Sequence, residues 1–274
     1  DYLRSMVHTT AVNITKMFGI TGRVISSSTA CTTSSQSMGF GYEAVKFGMQ
    51  DAMLCGGADE YDTTTVAVFD NLLACSTEFN ATPHLTPRPF DVRRDGLVVG
   101  EGAGAVVLEA YDVAKKRGAV ILGEVLGFAC NNNGGDLILP NIDGIVQTIR
   151  MGLENAQTGA DEIDMVCAHA TATKMGDVIE AQAIGRTYGH APWITALKSY
   201  MGHTMGSCGV IDAILSLYMM QDGFIAPTLN LDEVDERCAM IRHTRRLTEV
   251  PVQTVAIQNF AFGGVNTSLI VRKA

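Results

Sequence analysis

The sequence lacks an apolar run long enough to cross a bilayer. Its most apolar helical stretch, residues 211–220, is interrupted by Asp212, Ser216 and Tyr218, whereas a membrane helix needs about 20 predominantly apolar residues. No basic segment followed by an apolar one marks a secretory leader. Lysine and arginine form no stripe: the net charge is −9, and the short basic runs at 115–117 and 242–246 read as solvated surface, which argues against a nucleic-acid partner. The seven cysteines (Cys31, Cys55, Cys75, Cys130, Cys167, Cys208 and Cys238) include no CxxC pair. An odd count without zinc-ligand spacing implies reduced thiols in a cytoplasmic protein, most of them small core residues. Phosphate-binding loops are missing too. No GxxxxGK(S/T) occurs, and Gly100-Glu101-Gly102-Ala103-Gly104 is not GxGxxG and precedes a strand where a dinucleotide loop would follow one.

What is present is a well-buried α/β pattern. Of 274 residues, 47% are hydrophobic and 18% charged, a balance that excludes disorder and supports a substantial core. Strands are expected over 22–28, 51–59, 105–109, 119–129, 163–168 and 193–197, and a terminal hairpin over 253–272. Helices are expected from Cys31 to about Gly48 and over 112–118, 145–156, 176–188 and 206–221. Strands alternating with helices predict a layered α/β fold. A second βα series beginning near Ala119 divides the chain into two halves, 1–112 and 113–274. The helix after Cys31 is rich in Ser, Thr and Gly. Such a composition is poor for an exposed helix, so it is expected to be buried and closely packed.

Cys31 is placed where a strand gives way to a helix. There the free N–H groups and the positive end of the helix dipole favour a thiolate and hold a developing oxyanion. His169 follows the 163–168 strand, and His203 lies in the glycine-flanked turn 198–206 that begins with Lys198. Strand ends in layered α/β folds are where sites assemble. One Cys, two His and a Lys in such loops suit nucleophilic catalysis. His8, His84, His190 and His243 lack such settings and read as surface or structural. Cys31, His169 and His203 lack zinc-site spacing, so no metal and no cofactor are expected.

Five segments then carry a resemblance across essentially the whole chain: Ser28-Thr-Ala-Cys-Thr-Thr-Ser34; Pro89-Phe-Asp-Val-Arg-Arg-Asp-Gly96 with Gly100-Glu-Gly-Ala-Gly104; His169-Ala-Thr-Ala-Thr173 with Gly176, Asp177 and Glu180; Lys198-Ser-Tyr-Met-Gly-His203; and Asn259-Phe-Ala-Phe-Gly-Gly-Val-Asn266. In this order they resemble the elongating β-ketoacyl-acyl carrier protein synthases of type II fatty acid and polyketide systems. The resemblance implies a thiolase-like α-β-α-β-α fold whose first half lacks its N-terminal part here. It implies an acyltransferase that joins acyl units by decarboxylative Claisen condensation, with Cys31 carrying the acyl chain. His169 and His203 would donate N–H bonds to the malonyl thioester oxygen. Lys198 would orient them, paired with Asp212 where the family usually has Glu. The N–H groups of Cys31 and Phe262 would form the oxyanion hole, Phe262 and Phe260 would gate the site, and Thr171 and Thr173 would bind phosphopantetheine.

The family's pattern also implies partners: an acyl carrier protein bearing acyl and malonyl groups, and an identical or ketosynthase-like second subunit. The sequence departs from the pattern at Ala170, where a glycine is usual, at Ala172, where a serine is usual, and at Cys167, where an asparagine is usual. Glu180 keeps the acidic position beside the family's monovalent-cation site, but Cys167 offers no side-chain oxygen to such an ion. Two other readings use the same fold. A non-catalytic chain-length partner is disfavoured by the presence of Cys31, His169 and His203. A thiolase is disfavoured because Phe262 precedes the Gly263-Gly264 turn where a second catalytic cysteine is expected.

Overall fold

The computed structural model describes residues 2–274. In chain order the elements are helices α1 (Tyr2–Ser5), α2 (Thr9–Phe18) and α3 (Thr33–Lys46), strand β1 (Ala52–Asp59), α4 (Thr63–Asn71), β2 (Gly102–Glu109), α5 (Tyr111–Lys116), β3 (Gly123–Asn132), α6 (Ile142–Ala156), β4 (Met165–Cys167) and α7 (Gly176–Tyr188). Then follow β5 (Trp193–Thr195), α8 (Lys198–Met201), α9 (Cys208–Asp222), β6 (Phe224–Ile225), β7 (Arg242–His243), β8 (Thr248–Glu249), β9 (Thr254–Phe260) and β10 (Val265–Lys273).

The main sheet has six strands in the order β3-β10-β9-β4-β5-β7. Strand β10 runs antiparallel to β3 and β9, while β4 is parallel to β9 and β5, and β5 to β7. Side chains alternate between the faces of a strand, and this sheet is apolar on both. Val166, Ala256 and Ile270 face one core with Ile145, Ile149 and Ile184 of α6 and α7. Met165, Cys167, Val255, Ile257, Leu269 and Val271 face the other, with Met38, Val210 and Ala213 of α3 and α9. All seven residues of β9 are buried. Beyond α3 and α9 lies a second sheet, β1 and β2, paired antiparallel from Ala52↔Glu109 to Asp59↔Gly102. The described residues thus form the layers β-α-β-α, with α3 and α9 held between the two sheets.

The middle layer explains the composition of α3. Ser34, Ser35, Gly39, Gly41 and Ala44 are all buried, because two sheets and α9 crowd this helix. A Cβ placed on Gly39 would overlap the Phe128 ring of β3, and one on Gly209 of α9 would overlap Ser35 Oγ. Larger side chains here would push the layers apart.

The strand expected over residues 22–28 does not form. The segment joins no ladder, and its hydrogen bonds use side chains, such as Ser26 Oγ to Val7 O and Ser27 Oγ to Thr33 O. Its apolar and β-branched residues suit a strand, but a strand needs a partner, and among the described residues β1 pairs only with β2. The segment instead lines a cavity of about 470 Å3 with α2 and β1. Gly56 and Gly57 lie inside β1, opposite Ala105 and Gly104 of β2.

The packing at Gly39 makes a directional prediction. Gly39→Ala gains about 1 kcal/mol of helix propensity but overpacks against Phe128, at about 1–3 kcal/mol. Urea unfolding should therefore show a lower midpoint than the parent. A raised midpoint would mean that the layers yield to the extra methyl group.

Candidate active site

The chain approaches Cys31 through Ala30, whose φ of 49° is in the left-handed region, a conformation that costs an L-residue about 1–2 kcal/mol. Cys31 then occupies the short 3-10 turn Ala30–Thr32, just ahead of α3. Thr33 locks this elbow, its hydroxyl donating to Ala30 O at 2.8 Å and accepting from Thr29 N at 2.9 Å. The Cys31 thiol is buried, 2.9 Å from His203 Nε2. His169 follows β4 and packs edge-on against the His203 ring, centroids 5.2 Å apart, and against Phe260 at 6.0 Å.

Each histidine is held by its backbone. His203 N donates to Val98 O at 2.7 Å and His203 O accepts from Gly100 N at 2.9 Å, so a loop of the first half clamps the histidine of the second. Gly100 is required there: a Cβ on it would overlap Met201 O. His169 N and Ala170 N each donate at 2.7 Å to the two carboxylate oxygens of Glu180 on α7. Both oxygens are thereby engaged with the main chain.

Lys198 and Asp212 are both buried and form an ion pair at 3.1 Å. Asn259 Nδ2 donates to the same Asp212 oxygen at 3.1 Å, and Ser35 Oγ donates to Asn259 Oδ1 at 2.6 Å. Burial opposes the Lys198 charge, but the Asp212 carboxylate more than offsets it, and the ammonium is held above its ordinary range. Burial and the Lys198 charge together hold His203 down at about 3, and burial, Lys198 and His203 hold His169 well below its usual value. Both rings are therefore neutral near pH 7. The Nδ1 atoms of both have no hydrogen-bond partner among the described residues. A buried donor left unpaired is the costlier orphan, which assigns the proton to Nε2, the atom facing Cys31 in His203.

Cys31 departs from expectation. Burial pushes its thiol up to about 11, outweighing the opposing pull of Lys198 and of the N–H groups of Cys31 and Phe262. A turn that presents N–H groups does favour a thiolate, but the loss of water from around the sulfur is the larger effect. The two N–H groups nonetheless sit against the sulfur, where an oxyanion hole was expected.

The other candidates are nearby in varying degree. Thr171 and Thr173 are half-buried, their hydroxyls 3.3 Å apart. Phe262 is half-buried in the loop after β9 and stacks on Phe69 at 5.6 Å. Phe260 is fixed in β9 opposite Asn266. Two supports were not singled out in the sequence. Cys208 Sγ donates to Cys31 O at 3.2 Å. Arg94 donates to Thr173 O at 3.1 Å and Lys174 O at 2.8 Å while pairing with Asp235 at 2.8 Å. The signal for Arg94 was its place among the charged residues of the 89–96 motif. Cys208 carried none, since a small apolar residue at a helix start is common.

Absent zinc-ligand spacing in the sequence does not keep these three residues apart in space. Ligand atoms of Cys31, His169 and His203 all lie within 4.8 Å of one another. Spacing rules describe ligands on one local motif, and these three come from a turn, a strand end and a loop brought together by the fold.

Comparison with known proteins is consistent across sequence and structure. Residues 2–114 match the family described as beta-ketoacyl synthase, N-terminal domain, and residues 122–232 match its C-terminal domain. The chain is 38% identical over 257 residues to 3-oxoacyl-acyl-carrier-protein synthase 1 of Escherichia coli, covering 93% of this chain and 63% of that protein. It thus spans less than two thirds of that relative's length. A crystal structure of a beta-ketoacyl synthase from Burkholderia phymatum superposes with a TM-score of 0.96 at 48% identity, over 97% of this chain and 65% of that one. A type II polyketide synthase acyl carrier protein in complex with its ketosynthase, bound to the hexaketide, superposes with a TM-score of 0.94 at 27% identity, over 97% and 67%. The layered fold is that of these synthases.

The two buried histidines make a pH prediction. Their folded values lie below the ordinary 6.5, at about 3 for His203, so between those values the unfolded chain binds more protons and stability falls as pH falls. Replacing His203 by Gln, which cannot take up that proton, should flatten stability against pH between about 6.5 and about 3, read by chemical denaturation. An unchanged slope would mean that His203 is charged in the folded protein. With both halves of one family matched in order along its length, this chain belongs to the β-ketoacyl synthases.

Proposed function

We propose that the chain carries the condensing chemistry of its family: transfer of an acyl group to Cys31, then decarboxylative Claisen condensation with a malonyl thioester. The observation that carries this reading is the meeting of the Cys31 thiol with two neutral histidines and with the N–H groups of Cys31 and Phe262. In the first half-reaction Cys31 sulfur attacks the acyl thioester carbonyl, and its proton departs with the leaving thiol. In the second, the bond from the malonyl Cα to the carboxylate breaks and carbon dioxide leaves. The electron pair moves onto the thioester oxygen, where His169 and His203 donate. The enolate carbon then attacks the acyl-Cys31 carbonyl, the oxyanion rests on the N–H groups of Cys31 and Phe262, and Cys31 is expelled.

Lys198 and Asp212 act behind the histidines, and Glu180 positions His169. Thr171 and Thr173, half-buried at the loop surface, suit hydrogen bonds to a pantetheine arm. Phe262 is better placed than Phe260 to gate, because it stands in a loop while Phe260 is locked in β9. The acyl donor and extender arrive on an acyl carrier protein; the polyketide ketosynthase named above is in complex with such a carrier. The chain works as a dimer, with itself or a ketosynthase-like partner. The seven cysteines are free, which fits the reducing cytoplasm. No helix among the described residues is long and apolar enough to cross a membrane. The two halves, 1–112 and 113–274, supply the nucleophile and the histidine loops respectively.

Separate assays of the half-reactions test this assignment. Cys31→Ala should abolish condensation yet leave decarboxylation of a malonyl thioester, because both histidines remain. His203→Ala should slow decarboxylation by about 10²–10³-fold, the usual loss for one oxyanion donor, and acyl transfer less. Equal loss of both half-reactions in His203→Ala would mean that the histidine serves the structure alone.

A further inference from the structure

The groups that meet at Cys31 have a second chemistry available. Sulfur and imidazole nitrogen are the ligands that zinc prefers, with Zn–S near ~2.3 Å and Zn–N near ~2.0–2.1 Å in tetrahedral geometry. Those lengths put the ligand atoms about 3.3–3.6 Å apart. Here Cys31 Sγ and His203 Nε2 are 2.9 Å apart, and all three ligand atoms lie within 4.8 Å of one another. An ion therefore fits after the sulfur and imidazole part by about 0.6 Å and His169 closes in. Of the acidic groups nearby, Asp59 accepts from Gly206 N, Glu180 is engaged by two backbone N–H groups, and Asp212 by Lys198 and Asn259.

We propose that Cys31, His169 and His203 form a reversible zinc site, in which one Zn2+ is held by the Cys31 thiolate, one imidazole nitrogen of each histidine and a water molecule, and that the bound ion shuts off the nucleophile. The Cys31 S–H bond breaks as the Zn–S bond forms, and the proton passes to solvent; on each ring the proton shifts from Nε2 to Nδ1, which frees the Nε2 lone pair for the ion. No electron is transferred. The Lys198 ammonium opposes a second cation, but its pairing with Asp212 reduces that penalty. A tetrahedral ion also occupies the space that an acyl group on sulfur would take. The site acts as an inhibitory lock, distinct from any resident catalytic metal.

The test uses the intact protein with zinc and cobalt as the only probes. Cobalt added to metal-free protein should give four-coordinate ligand-field bands and a thiolate-to-cobalt charge-transfer band. Zinc should protect Cys31 from iodoacetamide, read by peptide mass spectrometry, with release by EDTA. Cys31→Ser should lose the charge-transfer band. His169→Ala and His203→Ala should each weaken zinc binding by at least the ~10–100-fold typical of supporting residues around a metal. A six-coordinate cobalt spectrum without the charge-transfer band, or undiminished zinc stoichiometry in Cys31→Ser, would overturn the site. The readouts on the unsubstituted protein stand even where a variant folds poorly. Normal condensation without metal binding would remove this inference alone, whereas metal binding in a protein that does not condense would count against the proposed function alone.

Discussion

Lys198 and Asp212 meet at 3.1 Å where neither reaches water, and most of the candidate site's electrostatics follows from that contact. Removing two charges from water costs several kcal/mol per ion, and apolar packing of similar volume is often no less stable. The pair is therefore weak evidence for stability and better understood by what its field does. The ammonium lies close enough to depress both histidines and to favour an anion on Cys31. Asp212 holds that charge in place, and Asn259 and Ser35 hold Asp212. Either member alone would leave a buried charge without a counterpart.

The network depends on the close approach of α3 and α9. Ser35 and Gly209 touch across the two helices, and Ser34 Oγ accepts from Val210 N at 3.0 Å. Small residues and hydroxyls at this crossing let Asn259 at the end of β9 reach both helices. The clamp on His203 has the same character, since Gly100 lets the first-half loop lie against Met201. Close packing and polar contact are thus one constraint: the polar atoms meet only because the side chains between the layers are small.

Part of this was legible in the sequence. Helix α7 was expected over 176–188 and lies there, ended by Gly189 with its φ of 65°. The burial of α3 was readable from its Ser and Gly content. The convergence of Cys31, His169, His203 and Lys198 was inferred from their placement at element ends and from the family's motifs, and the resemblance is what joined segments up to 172 residues apart, the separation of Cys31 and His203. The missed features share a cause. Strand formation at 22–28 depends on a partner that composition does not reveal, and the high Cys31 pKa depends on burial that a local turn does not encode. The Val98–Gly100 clamp depends on backbone atoms, which every residue type possesses.

The balance at Cys31 bears on how the site works. A thiol held at about 11 is protonated near pH 7, so the sulfur and the two imidazoles are uncharged at rest, and the charges that act on the sulfur are those of Lys198 and Asp59. Neutral rings and a neutral thiol are inexpensive to bury. Once negative charge develops on an enolate or tetrahedral oxygen, the Nε2–H groups, the N–H groups of Cys31 and Phe262 and the more distant ammonium are already in position. Fixed donors that need no rearrangement stabilise such charge more than water does. The same burial that makes Cys31 a reluctant thiolate therefore strengthens every donor aimed at the reacting oxygen. Relieving it by opening the site to water would speed ionisation of the sulfur while weakening the stabilisation on which carbon–carbon bond formation depends.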